Sequence, residues 1–128
     1  MERKILKCIS TIEEFDLESF KELDIGVEIQ DFTEPNLNSD EIEMLIQEYS
    51  KLFKDFKGIK ALHGPFLDLS PSSPDLDIRR VSYRKYLRTI KAATRLQMDY
   101  IIFHSQINPF LNTPSLMDLN NQQCKEFW

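Results

Sequence analysis

The sequence predicts an α/β fold, with parallel strands joined by helical crossovers that pack on the outside. Three observations carry this. Four short apolar runs, "ILKCI", "VEIQDF", "IKALH" and "YIIFH", punctuate the chain, and each is followed by a helical or amphipathic stretch. Their spacing is regular: Glu28 to His63 is 35 residues and His63 to His104 is 41, one strand–helix unit per step. Strict alternation of strand and helix is the pattern of a parallel sheet, because a chain returning to the same edge must cross over through a helix. An open doubly wound sheet and a closed eight-stranded barrel both satisfy it. No GxGxxG follows a strand and the chain has only 3 glycines, which disfavours the usual dinucleotide-binding fold.

Each element has its own signal. The first strand is read over residues 4–9, followed by a short or irregular helix with apolar residues at Ile12, Phe15, Phe20 and Leu23. In "VEIQDF", read as a strand over 27–32, Val27, Ile29 and Asp31 share one face and Glu28, Gln30 and Phe32 the other. Asn38 with Glu41 three residues on forms a capping box for a helix over 39–57. Its apolar face is Ile42, Leu45, Ile46, Tyr49, Leu52, Phe53 and Phe56, and Lys57-Gly58 stops it. A strand at 59–63 precedes a long helix over 74–97, capped at Ser73-Pro74, with an apolar face of Tyr83, Tyr86, Leu87, Ile90 and Ala93. The continuous apolar run of the fourth strand, 100–104, suits burial on both faces. A last helix is read over 115–128.

Composition bounds the function. With 128 residues, 41% hydrophobic and 29% charged, the chain has the makeup of one soluble domain. No apolar run approaches the roughly 18 residues of a membrane span, and "MERKILKCIS" reads as a strand and not a signal peptide. Cys8 and Cys124 are far apart and form no CxxC, so free thiols in a reducing cytoplasm are expected, with Cys8 a small core residue. The net charge of −5 argues against a general nucleic-acid binder.

The two histidines hold the functional interest. His63 and His104 each close an apolar strand, and each is followed by a polar stretch holding proline, as "LHGPF" and "FHSQINP". Strand ends of this kind gather at one mouth of a βα barrel, where the loops of adjacent units meet. Imidazole nitrogens suit zinc and other transition metals. Glu28 on the second strand is a candidate catalytic acid or base, and equally a structural carboxylate. Gln106 and Asn108 are candidates for hydrogen bonds to a polyol substrate, or for capping their own loop.

"GVEIQDF", "LHGPF" and "DYIIFHSQ" together resemble the xylose-isomerase-like TIM-barrel superfamily, which holds sugar-phosphate isomerases and epimerases and endonuclease IV-like enzymes. The likeness runs from the first strand into the last helix. It implies the first four βα units of a (β/α)8 barrel, a half barrel, because a full one takes about 250 residues. It further implies a divalent metal (Mn, Mg or Zn), with His63 and His104 as ligands of an incomplete site whose other ligands belong to the second half. The expected activity of the full barrel is isomerisation or epimerisation of a sugar or sugar phosphate, proton transfer passing through an enediolate. The half is expected to be inactive alone. The alternatives are a zinc-dependent apurinic endonuclease and a non-catalytic half barrel that self-associates through its exposed edge strands.

Charge is uneven: residues 1–58 hold 15 acids and 7 bases, and 59–128 hold 6 acids and 9 bases. Arg80, Arg84, Arg88, Lys91 and Arg95 form a stripe on one helix, facing Asp40, Glu41, Glu43 and Glu48 on its expected neighbour. Opposed charge on adjacent outer helices accounts for this without a ligand.

Overall fold

The computed structural model describes residues 4–105 and 113–128. Its elements are β1 (Leu6–Ile9), α1 (Leu17–Glu22), β2 (Gly26–Ile29), α2 (Ser39–Leu52), β3 (Lys60–His63), α3 (Leu76–Arg95), β4 (Tyr100–Ile102) and α4 (Pro114–Phe127). The four strands form one parallel sheet in the order β1-β2-β3-β4, so every crossover moves one place along the sheet. Such stepwise parallel order is the first half of a barrel and not a doubly wound sheet, where the order reverses.

Register separates two faces. Ile9, Ile29, Leu62 and Ile101 lie in one row, and the first three are completely buried under the helices. The next row, Cys8, Glu28, Ala61 and Tyr100, belongs to the opposite, inner face. Alternation along a strand puts Gln30, His63, Ile102 and His104 on that same side. The core therefore sits between sheet and helices, with Phe20, Phe32, Ile42, Ile46, Tyr49, Phe53, Phe56, Ala92, Ala93 and Leu96 completing it. Phe15 binds three rings of that layer together, with centroids 5.0 Å from Phe20, 5.5 Å from Phe53 and 5.4 Å from Phe56.

The Asn38 capping box forms as its sequence requires: Asn38 accepts from the amides of Asp40 and Glu41, and Glu41 accepts from Asn38 N–H at 2.8 Å. Other boundaries move. The second strand stops at Ile29, because Asp31–Thr33 winds into a 3-10 turn closed by Thr33 donating to the Gln30 carbonyl. That turn swings Phe32 into the core beside Tyr49. The second helix ends at Leu52, and Phe53–Asp55 is again 3-10. The third helix begins at Leu76, not 74: Asp75 is its cap, accepting from the amides of Asp77 and Ile78, while Ser73 Oγ accepts from Asp75 N–H.

The buried face of α3 also differs from the expected one. Tyr83 and Ile90 are exposed, and Ser82, Tyr86, Thr89, Ala92 and Ala93 face inward. Small residues let α3 lie close to the sheet, and the two hydroxyls stay satisfied by donating to the carbonyls of Ile78 and Lys85 one turn back. Leu23 is exposed as well. The fourth strand is not buried on both faces: Tyr100, on the inner face, is 60% exposed. Between the outer helices, opposite charge does meet, in one bidentate pair of Arg95 with Glu43 at 2.5 and 2.7 Å. Arg80 pairs instead with Asp77 on its own helix. Among the described residues no helix is long and apolar enough to cross a membrane.

Candidate functional site

His63 is the last residue of β3 and is buried; His104 lies two residues beyond the end of β4 and is exposed. Because His63 stands opposite Ile102 in the register, His104 sits one step further toward the mouth on the adjacent strand. The two rings meet there, with Nε2 to Nε2 at 3.2 Å and ring centroids 5.0 Å apart. The strand-tip placement expected from sequence is thus realised for both.

The tautomer of His63 follows from its partner. Its Nδ1 lies 2.8 Å from the Gly64 carbonyl, which can only accept, so Nδ1 carries the proton and Nε2 offers a lone pair to the mouth. A backbone carbonyl holding the far nitrogen in this way is the usual support for an imidazole ligand. Two nitrogens bound at 2.0–2.1 Å to one tetrahedral zinc would be about 3.3 Å apart. The observed 3.2 Å is close to that edge, and as it stands it is a hydrogen bond in which His104 Nε2–H donates to the free Nε2 of His63. Among the described residues no group of three or more His, Cys, Asp or Glu side chains that could hold a metal ion stands together.

Two residues that the sequence reading passed over hold the pair in place. Phe66 stacks on His104 with centroids 4.5 Å apart at 12° and meets His63 edge-on at 5.6 Å. Gly64 donates its N–H to the Ile102 carbonyl, extending the β3–β4 ladder past His63. A Cβ on Gly64 would stand 2.2 Å from the Phe103 ring. That ring cannot swing away freely, because Tyr86 and Trp128 pack against it at 4.8 and 5.3 Å. The quoted "LHGPF" held both signals: glycine at a close backbone approach, and an aromatic just past the proline. Farther along the same loop, buried Ser72 donates to Asn120 of α4 at 2.6 Å, a contact across 48 residues that no local pattern announces.

Glu28 is on the inner face as expected, half-buried, one layer below the rim and roughly 7 Å down the strand direction from the level of His63. Gln30 donates to it at 3.4 Å. Cys8 is not a core residue: it is exposed on the inner face opposite Glu28. Partial burial, then the Glu28 charge and a hydrogen bond to it, push the Cys8 thiol pKa up, so it remains a protonated donor. Asp31, at the end of the second sequence run, accepts from Tyr49 OH; its burial raises its pKa while that hydrogen bond pulls it back down. Gln106 and Asn108 lie outside the described residues.

The fold defines a class, a parallel half barrel, and its two histidines meet at the C-terminal ends of adjacent strands. Solved structures give it more particular company. The chain is similar to the TTHB071 protein from Thermus thermophilus, in crystals soaked with ZnCl2, with 24% identity and TM-score 0.61, over 97% of this chain and 52% of that one. It is also similar to a D-tagatose 3-epimerase-like protein, with 19% identity and TM-score 0.64, over 98% of this chain and 47% of that one. The chain thus spans about half the length of the solved structures it matches and shares their fold over that length. No family model matches it, and no curated protein does.

Proposed function

We propose that this chain forms the metal-holding first half of a divalent-metal-dependent isomerase or epimerase acting on a sugar or sugar phosphate. The observation that carries the reading is the 3.2 Å approach of the two Nε2 atoms, with the His63 tautomer fixed by the Gly64 carbonyl. The solved structures similar to it, one epimerase-like and one from zinc-soaked crystals, make sugar and zinc the first substrate class and metal to test. A divalent ion at such a site supplies Lewis-acid stabilisation of negative charge developing on a substrate oxygen. His63 and His104 would hold it, Phe66 would keep their rings at the angle described, and Glu28 would take a proton or a hydroxyl hydrogen bond from a substrate lying on the inner face.

The hydrolase alternative needs a cationic mouth to receive a phosphate backbone. The described mouth loops carry Asp31, Glu34, Asp68 and Asp75, which favours a neutral polyol over nucleic acid. Titration with Zn(II), and with Co(II) followed by its visible spectrum, tests the reading. One ion per chain is expected, and His63→Ala or His104→Ala should weaken binding at least about tenfold with the circular dichroism unchanged. Equal binding by both variants overturns it. In the metal-loaded protein carrying the second half, solvent deuterium should enter a substrate C–H position.

A further inference from the structure

We propose that the groove between α3 and α4, on the outside of the sheet, receives an acidic amphipathic segment of a partner protein. The groove encloses about 910 Å³ along the first half of α3 and the C-terminal end of α4. Leu76, Val81, Tyr83 and Phe127 line it with apolar surface, and Arg79 and Arg84 stand on its walls. Leu76 is 56% exposed and Tyr83 55%. Large apolar side chains left this open, rimmed by cations, have the makeup of a recognition surface.

Charge identifies the occupant. Helix α3 carries seven Lys or Arg and one acid, Asp77, in a chain of net charge −5. Opposed charge on α2 answers only one of the seven, Arg95, which reaches Glu43. Arg80 is held by Asp77, and Lys85 donates to the Pro35 carbonyl at 2.7 Å. Arg79, Arg84, Arg88 and Lys91 have no ion pair among the described residues. The two acids of the groove are each engaged within their own helix, Asp77 with Arg80 and Glu126 with Gln122. The free guanidinium groups of Arg79 and Arg84 thus flank an apolar floor, which complements a helix with apolar residues on one face and carboxylates beside them.

The chain's own fold does not fill the groove. Helix α3 already has α2 on one flank, through Arg95 and Glu43, and α4 on the other, where the rings of Tyr83 and Phe127 lie 6.3 Å apart. Each crossover moves one place along the sheet, so chain running on past α4 in that order leads away from α3. Neighbouring charge also limits the size of the occupant. Asp40, Glu41 and Glu48 are exposed on α2, so a bilayer or a nucleic acid duplex laid across these helices would meet like charge. A short segment confined to the α3–α4 side avoids it.

Two synthetic helical peptides test this, alike in leucines at every third or fourth position and differing in glutamate or lysine between them. Fluorescence anisotropy should show the glutamate peptide binding at least about tenfold more tightly, with the gap narrowing as salt is added. Val81→Asp and Arg84→Glu, both at exposed positions, should each weaken it at least about tenfold with the circular dichroism unchanged. Lys91→Glu, on the same helix but outside the groove, should change it by less than about twofold. Amide chemical-shift changes on binding should gather at residues 76–84 and 126–127. No binding of the glutamate peptide, equal binding of the two peptides, or shifts gathered elsewhere overturns the proposal. So does a chain that ignores the peptide and instead dimerises or binds anionic vesicles through Val81. His63→Ala and His104→Ala should bind the peptide as before and Arg84→Glu should bind metal as before, so this proposal and the metal reading can fail separately.

Discussion

The two faces of the sheet are built to different rules. On the outer face Ile9, Val27, Ile29 and Leu62 are wholly buried and packed by phenylalanines from three segments. On the inner face Cys8 and Tyr100 are exposed, Glu28 is half-buried, and the polar groups collect toward the rim. Adjacent residues of one strand thus face opposite demands, because a single-residue step reverses the side chain. Stability is concentrated on the helix side and reactive groups on the other. The exposed inner-face positions Cys8 and Tyr100 can change at little cost to folding, while the buried outer rows cannot.

Substitutions one residue apart can break or sharpen this contrast. The largest effect is expected at Leu62→Ala, beside His63 but on the outer face: a fully buried leucine truncated in a close-packed layer should cost about 2–5 kcal/mol in urea unfolding. A loss no larger than that of His63→Ala would erase the distinction between the faces. Gly64→Ala should rank next, costing about 1–3 kcal/mol, since the new methyl group drives into a Phe103 ring held by Tyr86 and Trp128. The added Phe103→Leu change should recover part of that loss, a coupling measurable by a double-mutant cycle.

The smallest effect is expected outside the sheet. The Arg95 guanidinium beside Glu43 holds its carboxyl down from 4.5 to about 2. With the folded pKa the lower of the two, the pair's contribution is complete above about 4.5 and disappears as pH falls toward 2. Glu43→Gln should therefore flatten acid unfolding slightly in that window and nowhere else. Because both side chains are solvent-facing, added salt should shrink the difference further.

Much of this architecture was legible in the sequence because it rests on short-range signals. Apolar runs at strand length, Asn38 with Glu41, and the 35- and 41-residue spacing are all properties of nearby residues. The placement of His63 and His104 on one rim followed from the same regularity. What escaped reading depends on distant partners. Cys8 is exposed on the inner face, and its own neighbours give no sign of that. The α3 surface buries Ser82 and Thr89 over Tyr83 and Ile90 because close approach to the sheet matters more there than side-chain hydrophobicity. The turn that ends the second strand early places Asp31 against Tyr49, 18 residues away. The ring stack of Phe66 on His104 likewise joins residues from different loops.

The Ser72–Asn120 hydrogen bond can form only once the chain has been made as far as α4. The segment that follows His63 is moored to a helix made 48 residues afterwards. Until that helix docks, the hydroxyl of Ser72 has solvent for company, and the turn that aims the imidazole is tethered only at one end. Sheet and outer helices can thus consolidate first while the rim stays pliable, taking its final shape last, once synthesis has reached α4.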